Sequence, residues 1–248
     1  MQAEEEAQEQ ERVIAMVEVK ILQEKENSVK VLIKDTNAAF VNALRRQMMA
    51  GTPVLAIEDI HIYENNGAMH DEMLGHRLAM VPLKMDSKKY KEGDIVKLVL
   101  EKEGPCTVYS KDIKSTDPKI EPATLNIPLT KLAEGQKIKI EMDALVGIGS
   151  AHSKWQPAIV AYTELPIIVN DKGAKDKSYK ADVIEMLLDE KHRDIILKEN
   201  QGVEYDPTAF IFSVESHGNL TPKELFDAAV DELKKRTEEF RKELKNLS

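Results

Sequence analysis

The stretch Thr36–Leu83, TNAAFVNALRRQMMAGTPVLAIEDIHIYENNGAMHDEMLGHRLAMVPL, decides the fold, because local chemistry alone divides it into a helix, a strand and a second helix. In its first part Phe40, Leu44 and Met48 recur every fourth residue with Val41 beside them, which draws one apolar stripe along a helix. Asp35 and Thr36 are the expected N-caps, and Gly51 followed by Pro53 supplies the stop, so the helix should run for about four turns. Arg45 and Arg46 directly follow Leu44. At least one of them must leave the apolar face and be held out toward water or a partner.

Val54 to Tyr63 is β-branched and aliphatic around a Glu58–Asp59 step, which predicts a strand, and Asn66–Gly67 predicts a tight turn because both residues tolerate positive φ. A short helix is expected from Asp71 to Met80, ended by Pro82. Asp71 and Glu72 stand in its first turn and His76 and Arg77 toward its end, the charge order that the helix dipole favours. Glu72 and His76 form an i, i+4 pair.

Working outward, Val17, Val19 and Ile21 alternate with Glu18 and Lys20, and Val29, Val31 and Ile33 repeat the pattern after the polar turn EKENS. These are two strands of a hairpin with one buried face, which the helix at Phe40 is expected to cover. Strands are also expected at Val96 to Leu100, Thr107 to Ser110 and Lys137 to Met142, with Pro118, Pro122 and Pro128 marking irregular connections. Phe210, Phe212 and Val214 alternate in a further strand able to rejoin the hairpin. Leu220-Thr221-Pro222-Lys223-Glu224-Leu225 is a complete helix start: Thr221 as N-cap, Pro222 at N1, Glu224 closing a capping box, and Leu220 with Leu225 as the hydrophobic staple.

In the helix that follows, Phe226, Val230, Leu233, Thr237, Phe240, Leu244 and Leu247 are spaced alternately by four and three residues. So narrow a seam suits packing lengthwise on another helix better than lying on a broad sheet. The helix beginning near Phe40 is too short to cover all seven positions, so the surplus must find a second surface.

At 248 residues with 42% apolar content, the chain can hold one good core plus a smaller insertion. Its 35 basic and 44 acidic residues give a net charge of −9, which argues against a broad nucleic-acid grip of its own. The lysines at 172, 175, 177 and 180 alternate with acidic and polar residues and are read as a solvated linker. One cysteine, Cys106, excludes an internal disulfide and a cysteine-rich metal cage. No apolar run is long enough to span a membrane, and with no signal-like amino terminus a cytoplasmic protein is expected.

The segments NALRRQMMAGTPVLAIEDI and MHDEMLGHRLAMVPL resemble the signature of the alpha-like subunits of RNA polymerase, and within them the archaeal D subunits. The likeness continues in KLAEGQKIKIEMDALVGIGSAHSKWQPA and in the last helix, and is thinnest over the first fifteen residues and from Ile167 to Tyr205. It implies an α+β fold: an alpha-like dimerisation domain, a small antiparallel sheet covered by two helices, interrupted by an inserted β-rich domain. The expected division is 1–51 and 207–248 for the dimerisation domain, 52–165 for the insertion, and 166–206 for a small third domain, a ferredoxin-like remnant. Some family members carry an iron–sulfur cluster on four cysteines in that third domain. With no cysteine in the block, no cluster and no other cofactor is expected here.

The resemblance further implies a non-catalytic assembly subunit of DNA-directed RNA polymerase. It would form a heterodimer with subunit L, on which the second-largest subunit and the small subunits N and P are mounted. Phe40, Leu44, Met48, Phe226, Val230, Leu233, Phe240, Leu244 and Leu247 are the expected dimer interface, Arg45 and Arg46 the docking site of a large subunit, and Asp71, Glu72, His76 and Arg77 structural members of the family motif. Two rival readings stand beside it. His70 and His76 with Asp71 and Glu72 have the side chains of a divalent-metal site, but sequence places no further ligand beside them. The charged faces alone would also suit a free-standing adaptor. Neither a nucleophile turn nor a glycine-rich phosphate loop is present, and His152, Lys154 and the single tryptophan, Trp155, are read as packing.

Overall fold

A computed structural model of the chain describes residues 17–86, 89–91, 93–169 and 202–246, which fall into two compact units. The expected third domain and Leu247 lie almost wholly or wholly outside these residues. The first unit comprises residues 17–25, 29–43, 161–169 and 202–213, and the second residues 26–28, the described part of 44–160, and 214–246.

The first unit is built on a four-stranded sheet in the order β1 (Glu18–Lys25), β2 (Ser28–Lys34), β10 (Gly202–Ser216), β9 (Ala158–Val169). Its inner strands bury both faces: Val31 and Ile33 alternate with Leu32, and Phe210 and Phe212 with Ala209 and Ile211. Leu32, Leu165, Ala209 and Ile211 form one cluster, against which Leu22 packs. Phe210 meets Tyr162 edge to face at 5.9 Å. The outermost strand corrects the expected hairpin. Val17, Val19 and Ile21 are exposed, Val19 by 61%, because β1 has a neighbour on one side only and its alternation turns Leu22 inward instead.

The N-cap expectation is corrected as well. Asp35 ends β2 with φ of +57°, the backbone N–H of Thr36 donates to the Thr208 carbonyl (3.2 Å), and Asn37 is the cap, its Oδ1 accepting from Phe40 N–H at 2.9 Å. Helix α1 then spans Ala38–Arg46 and passes into a π-helical turn, Gln47–Gly51.

In the second unit β3 (Val54–Asn65), β8 (Lys137–Gly147), β4 (Ile95–Glu103) and β6 (Lys114–Ser115) pair antiparallel in that order, Val54 opposite Gly147 and Ile95 opposite Leu145. Val96, Leu98, Leu100, Ile138, Ile140, Met142 and Ala144 are buried on one face of this sheet. The opposite face is a lattice of charges in which Lys139 stands between Glu64 and Glu101, and Lys137 meets Glu103 at 3.0 Å. A two-stranded ribbon, β5 (Cys106–Tyr109) with β7 (Pro128–Leu132), and helix α2 (Asp71–Ala79) complete the unit's β-rich part. The Asn66–Gly67 turn departs from expectation. Neither residue takes positive φ, and Asn66 prolongs the pairing with Lys137, because α2 rather than a returning strand comes next.

Helix α3 (Pro222–Asn246) starts as read from the sequence: the Glu224 carboxylate accepts from Thr221 N–H (2.8 Å), and Thr221 Oγ1 accepts from Glu224 N–H (3.3 Å). Leu220 and Leu225 are both buried. The helix packs on the π-helical turn Gln47–Gly51.

Candidate assembly surface

Val41 and Leu44 of helix α1 and Met48 of the π-helical turn are buried, while Phe40 is 43% exposed, so the four expected stripe residues divide three to one. Below them the π-helical turn is tightly fitted. Gln47 is buried, the Thr52 hydroxyl donates to its carbonyl (3.1 Å), and any side chain at Gly51 would collide with the Gln47 amide. Of the arginine pair, Arg45 is half-buried with Nη1 3.5 Å from Met49 Sδ, and Arg46 is exposed. A rigid, well-packed turn thus carries two guanidinium groups at its start, which suits recognition of a carboxylate-bearing surface.

Along α3 the burial changes with position. Leu225 and Ala229 are buried, Phe226, Val230 and Leu233 are half-buried, and Phe240 and Leu244 are 65% and 49% exposed. Among the described residues the helix therefore buries a neighbouring stripe, Pro222, Leu225 and Ala229, which the seam pattern does not single out. A signal for it existed: Leu225 belongs to the staple and Ala229 follows one turn later. The seam's one polar member, Thr237, satisfies its hydroxyl within the helix by donating to the Leu233 carbonyl (2.8 Å).

The family-motif residues lie on α2. Asp71 Oδ1 accepts from Asn65 Nδ2 at 2.7 Å, joining the helix start to the end of β3, and Arg77 donates to the Pro128 carbonyl of β7. Leu74, between them, and Leu78, directly after Arg77, are fully buried. Glu72 and His76 are exposed, and among the described residues no three His, Cys, Asp or Glu side chains come together as a metal site.

The AHSKWQPA segment forms a tie that the sequence did not reveal. Lys154, with only 8% of its side chain exposed, donates to the Ile57 carbonyl (2.9 Å) and pairs with Glu58, while its ammonium lies 4.4 Å from the Trp155 ring centre. Trp155 Nε1–H donates to the Leu145 carbonyl (3.1 Å), and the ring occupies the space that a side chain at Gly147 would need. One short turn thereby pins the ends of β3 and β8 together. Elsewhere in the unit, Lys89 and then Tyr90 donate to Asp117 and hold its carboxyl well below the usual carboxylate range.

The described residues thus offer packed ties, charged faces and exposed apolar helix surface, an arrangement suited to binding other proteins. Residues 60–167 match the family described as the RNA polymerase Rpb3/RpoA insert domain. The chain is 34% identical to DNA-directed RNA polymerase subunit Rpo3 of Pyrococcus furiosus over 260 residues, covering 95% of this chain and 100% of that one. It is 34% identical to the Rpo3 subunit of Thermococcus kodakarensis (94% and 100% covered), and 48% identical to that of Methanocaldococcus jannaschii over 127 residues, 51% of this chain and 64% of the other. With the mixed α/β architecture, its antiparallel sheets and the insert-domain match, this likeness along nearly the whole length places the chain in the Rpo3 family of DNA-directed RNA polymerase subunits, the archaeal D subunits.

Proposed function

We propose that the chain acts in transcription as a non-catalytic assembly subunit, pairing with polymerase subunit L and presenting the pair to the second-largest subunit and to the small subunits N and P. The observation that carries this reading is the distal half of α3, whose seam residues Phe240 and Leu244 are exposed on a helix that, among the described residues, buries side chains only in its first turns. With Phe226, Val230, Leu233 and, beyond the described residues, Leu247, they form the surface for L, which supplies the second helix that the seam requires. Phe40 on α1 is a further exposed contact, whereas Leu44 and Met48, expected in the same interface, are buried within the chain and can only support it from inside. Arg45 and Arg46 meet carboxylates of the second-largest subunit. Asp71, Glu72, His76 and Arg77 serve architecture, and the chain contributes no group to nucleotide or metal chemistry. In this reading residues 1–51 and 207–248 make the dimerisation domain, 52–165 the insertion, and 166–206 a third domain without a cluster, all in the cytoplasm.

The test is co-expression with an archaeal subunit L, followed by size-exclusion chromatography with light scattering, metal analysis and a ribonucleotide polymerisation assay. A one-to-one, metal-free pair that polymerises nothing alone and restores activity when the remaining subunits are added is expected. A metal-dependent activity of the isolated chain, or failure to pair with L, overturns the proposal.

A further inference from the structure

The second unit holds another exposed apolar surface, remote in sequence from the α3 seam. A groove of about 490 Å³ opens between α2 and the β5–β7 ribbon, with Met69, Met73, Pro128 and Leu129 as apolar lining and Arg77 and Lys131 as its charged residues. Met73 and Arg77, one turn apart, share one side of α2, and Met69 in the extended lead-in lines the same groove, while Leu74 and Leu78 fill the core. Met73 is 60% exposed, so the packing of α2 does not account for an apolar residue there. Leu129 beneath is only 1% exposed and gives a firm floor. An unbranched thioether over such a floor adapts to a partner's side chain better than a branched residue would.

The charges specify the partner. On a chain of net charge −9, both charged residues of this groove are cationic. Arg77 is held in place by its bond to the Pro128 carbonyl, and Lys131 is exposed on β7. A cation fixed by the backbone and a second, flexible one beside an apolar floor complement a segment that carries carboxylates around one large apolar side chain. A second copy of this chain would bring the same two cations to face each other, and a phosphate backbone would leave the methionine floor unused.

We propose that the groove between α2 and β7 docks an acidic, amphipathic segment of a partner protein, its Leu- or Phe-type side chain on Met69, Met73 and Leu129 and its carboxylates toward Arg77 and Lys131. This site is separate from the pairing surface for L and does not depend on it.

The test uses the full chain with isotope-labelled methionine methyl groups, Met69 and Met73 being assigned through Met69→Leu and Met73→Leu. The probes are the peptides acetyl-EDLFDE-amide and acetyl-KKLFKK-amide. The acidic peptide is expected to shift the Met69 and Met73 methyl signals saturably, with a Kd on the order of 1 mM or tighter, and the basic peptide to leave them in place. Lys131→Glu, at an exposed site that leaves the fold intact, is expected to weaken the acidic peptide roughly fivefold or more. Equal response to both peptides, shifts confined to other methionines, no effect of Lys131→Glu, movement of the same signals with protein concentration alone, or a stronger response to an oligouridylate would each overturn the proposal.

Discussion

Placing a carboxylate on the distal seam of α3 separates what the chain needs for its own fold from what it offers to a partner. Phe240 and Leu244 keep 65% and 49% of their surface in water. Full burial of a Phe or Leu contributes about 1.5–3 kcal/mol, so covering what remains is worth roughly 1–2 kcal/mol at Phe240 and about 0.7–1.5 kcal/mol at Leu244. An aspartate at either position forfeits that gain and adds the cost of an unpaired charge in an apolar contact, several kcal/mol more. The loss on pairing is therefore at least about 4 kcal/mol, roughly a thousandfold in affinity. The isolated chain meets the same substitution at an exposed site, where stability changes by only about 0.5 kcal/mol. Phe240→Asp and Leu244→Asp should each fail to recover L in tandem-affinity co-purification while showing nearly unchanged circular dichroism and Tm alone. Lys242→Asp, the same charge on a wet face of the helix, should retain L. Stoichiometric recovery of L with both seam variants, or equal loss with Lys242→Asp, would refute the reasoning.

Charge reversal of Arg45 and Arg46 should leave the Tm of the pair with L nearly unchanged and weaken capture of the second-largest subunit, read by pull-down; unfolding of the pair itself would show the arginines to be structural. Gly147→Ala forces a methyl group into the Trp155 ring and should destabilise by about 1–3 kcal/mol, with a change in the emission of the single tryptophan before any loss of helix signal. Thr221→Ala should cost about 1 kcal/mol in denaturant unfolding, and Thr221→Ser should restore most of it. Because Lys89 and Tyr90 depress the Asp117 carboxyl, the folded chain binds that proton less readily than the unfolded one. Its contribution is present above about pH 4 and lost as the pH falls further, so the Tm values of Asp117→Asn and the parent chain should converge on acidification.

What sequence reasoning recovered was local chemistry. The start of α3 could be read residue by residue because Thr221, Pro222, Glu224 and Leu225 act on one another within a single turn. The start of α1 could not, since Asp35, Thr36 and Asn37 are equally able caps. The choice between them rests on the left-handed backbone at Asp35 and on a bond from Thr36 to Thr208, far along the chain. Period-two alternation found β1 but assigned its buried face wrongly, because which side of an outer strand is covered depends on neighbours that the pattern does not contain. The seam on α3 was visible as a repeat. That its near part is partly covered and its far part exposed among the described residues depends on where the π-helical turn meets the helix, which no repeat on α3 encodes.

The register of β3 on β8 sets an order of events during synthesis. Val54 lies opposite Gly147, with roughly ninety residues between them, so β3 leaves the ribosome before β8, its sheet neighbour among the described residues, and waits for several seconds of elongation before the two can pair. Throughout that interval Val54, Leu55, Ala56 and Ile57, all buried in the finished fold, are uncovered. The Lys154–Trp155 turn emerges directly after β8, and by fastening both strands at their shared end it closes the window as soon as the chain has grown long enough. Of the described elements helix α3 emerges last, so its exposed apolar seam becomes available only on chains in which β3 and β8 have already had time to pair.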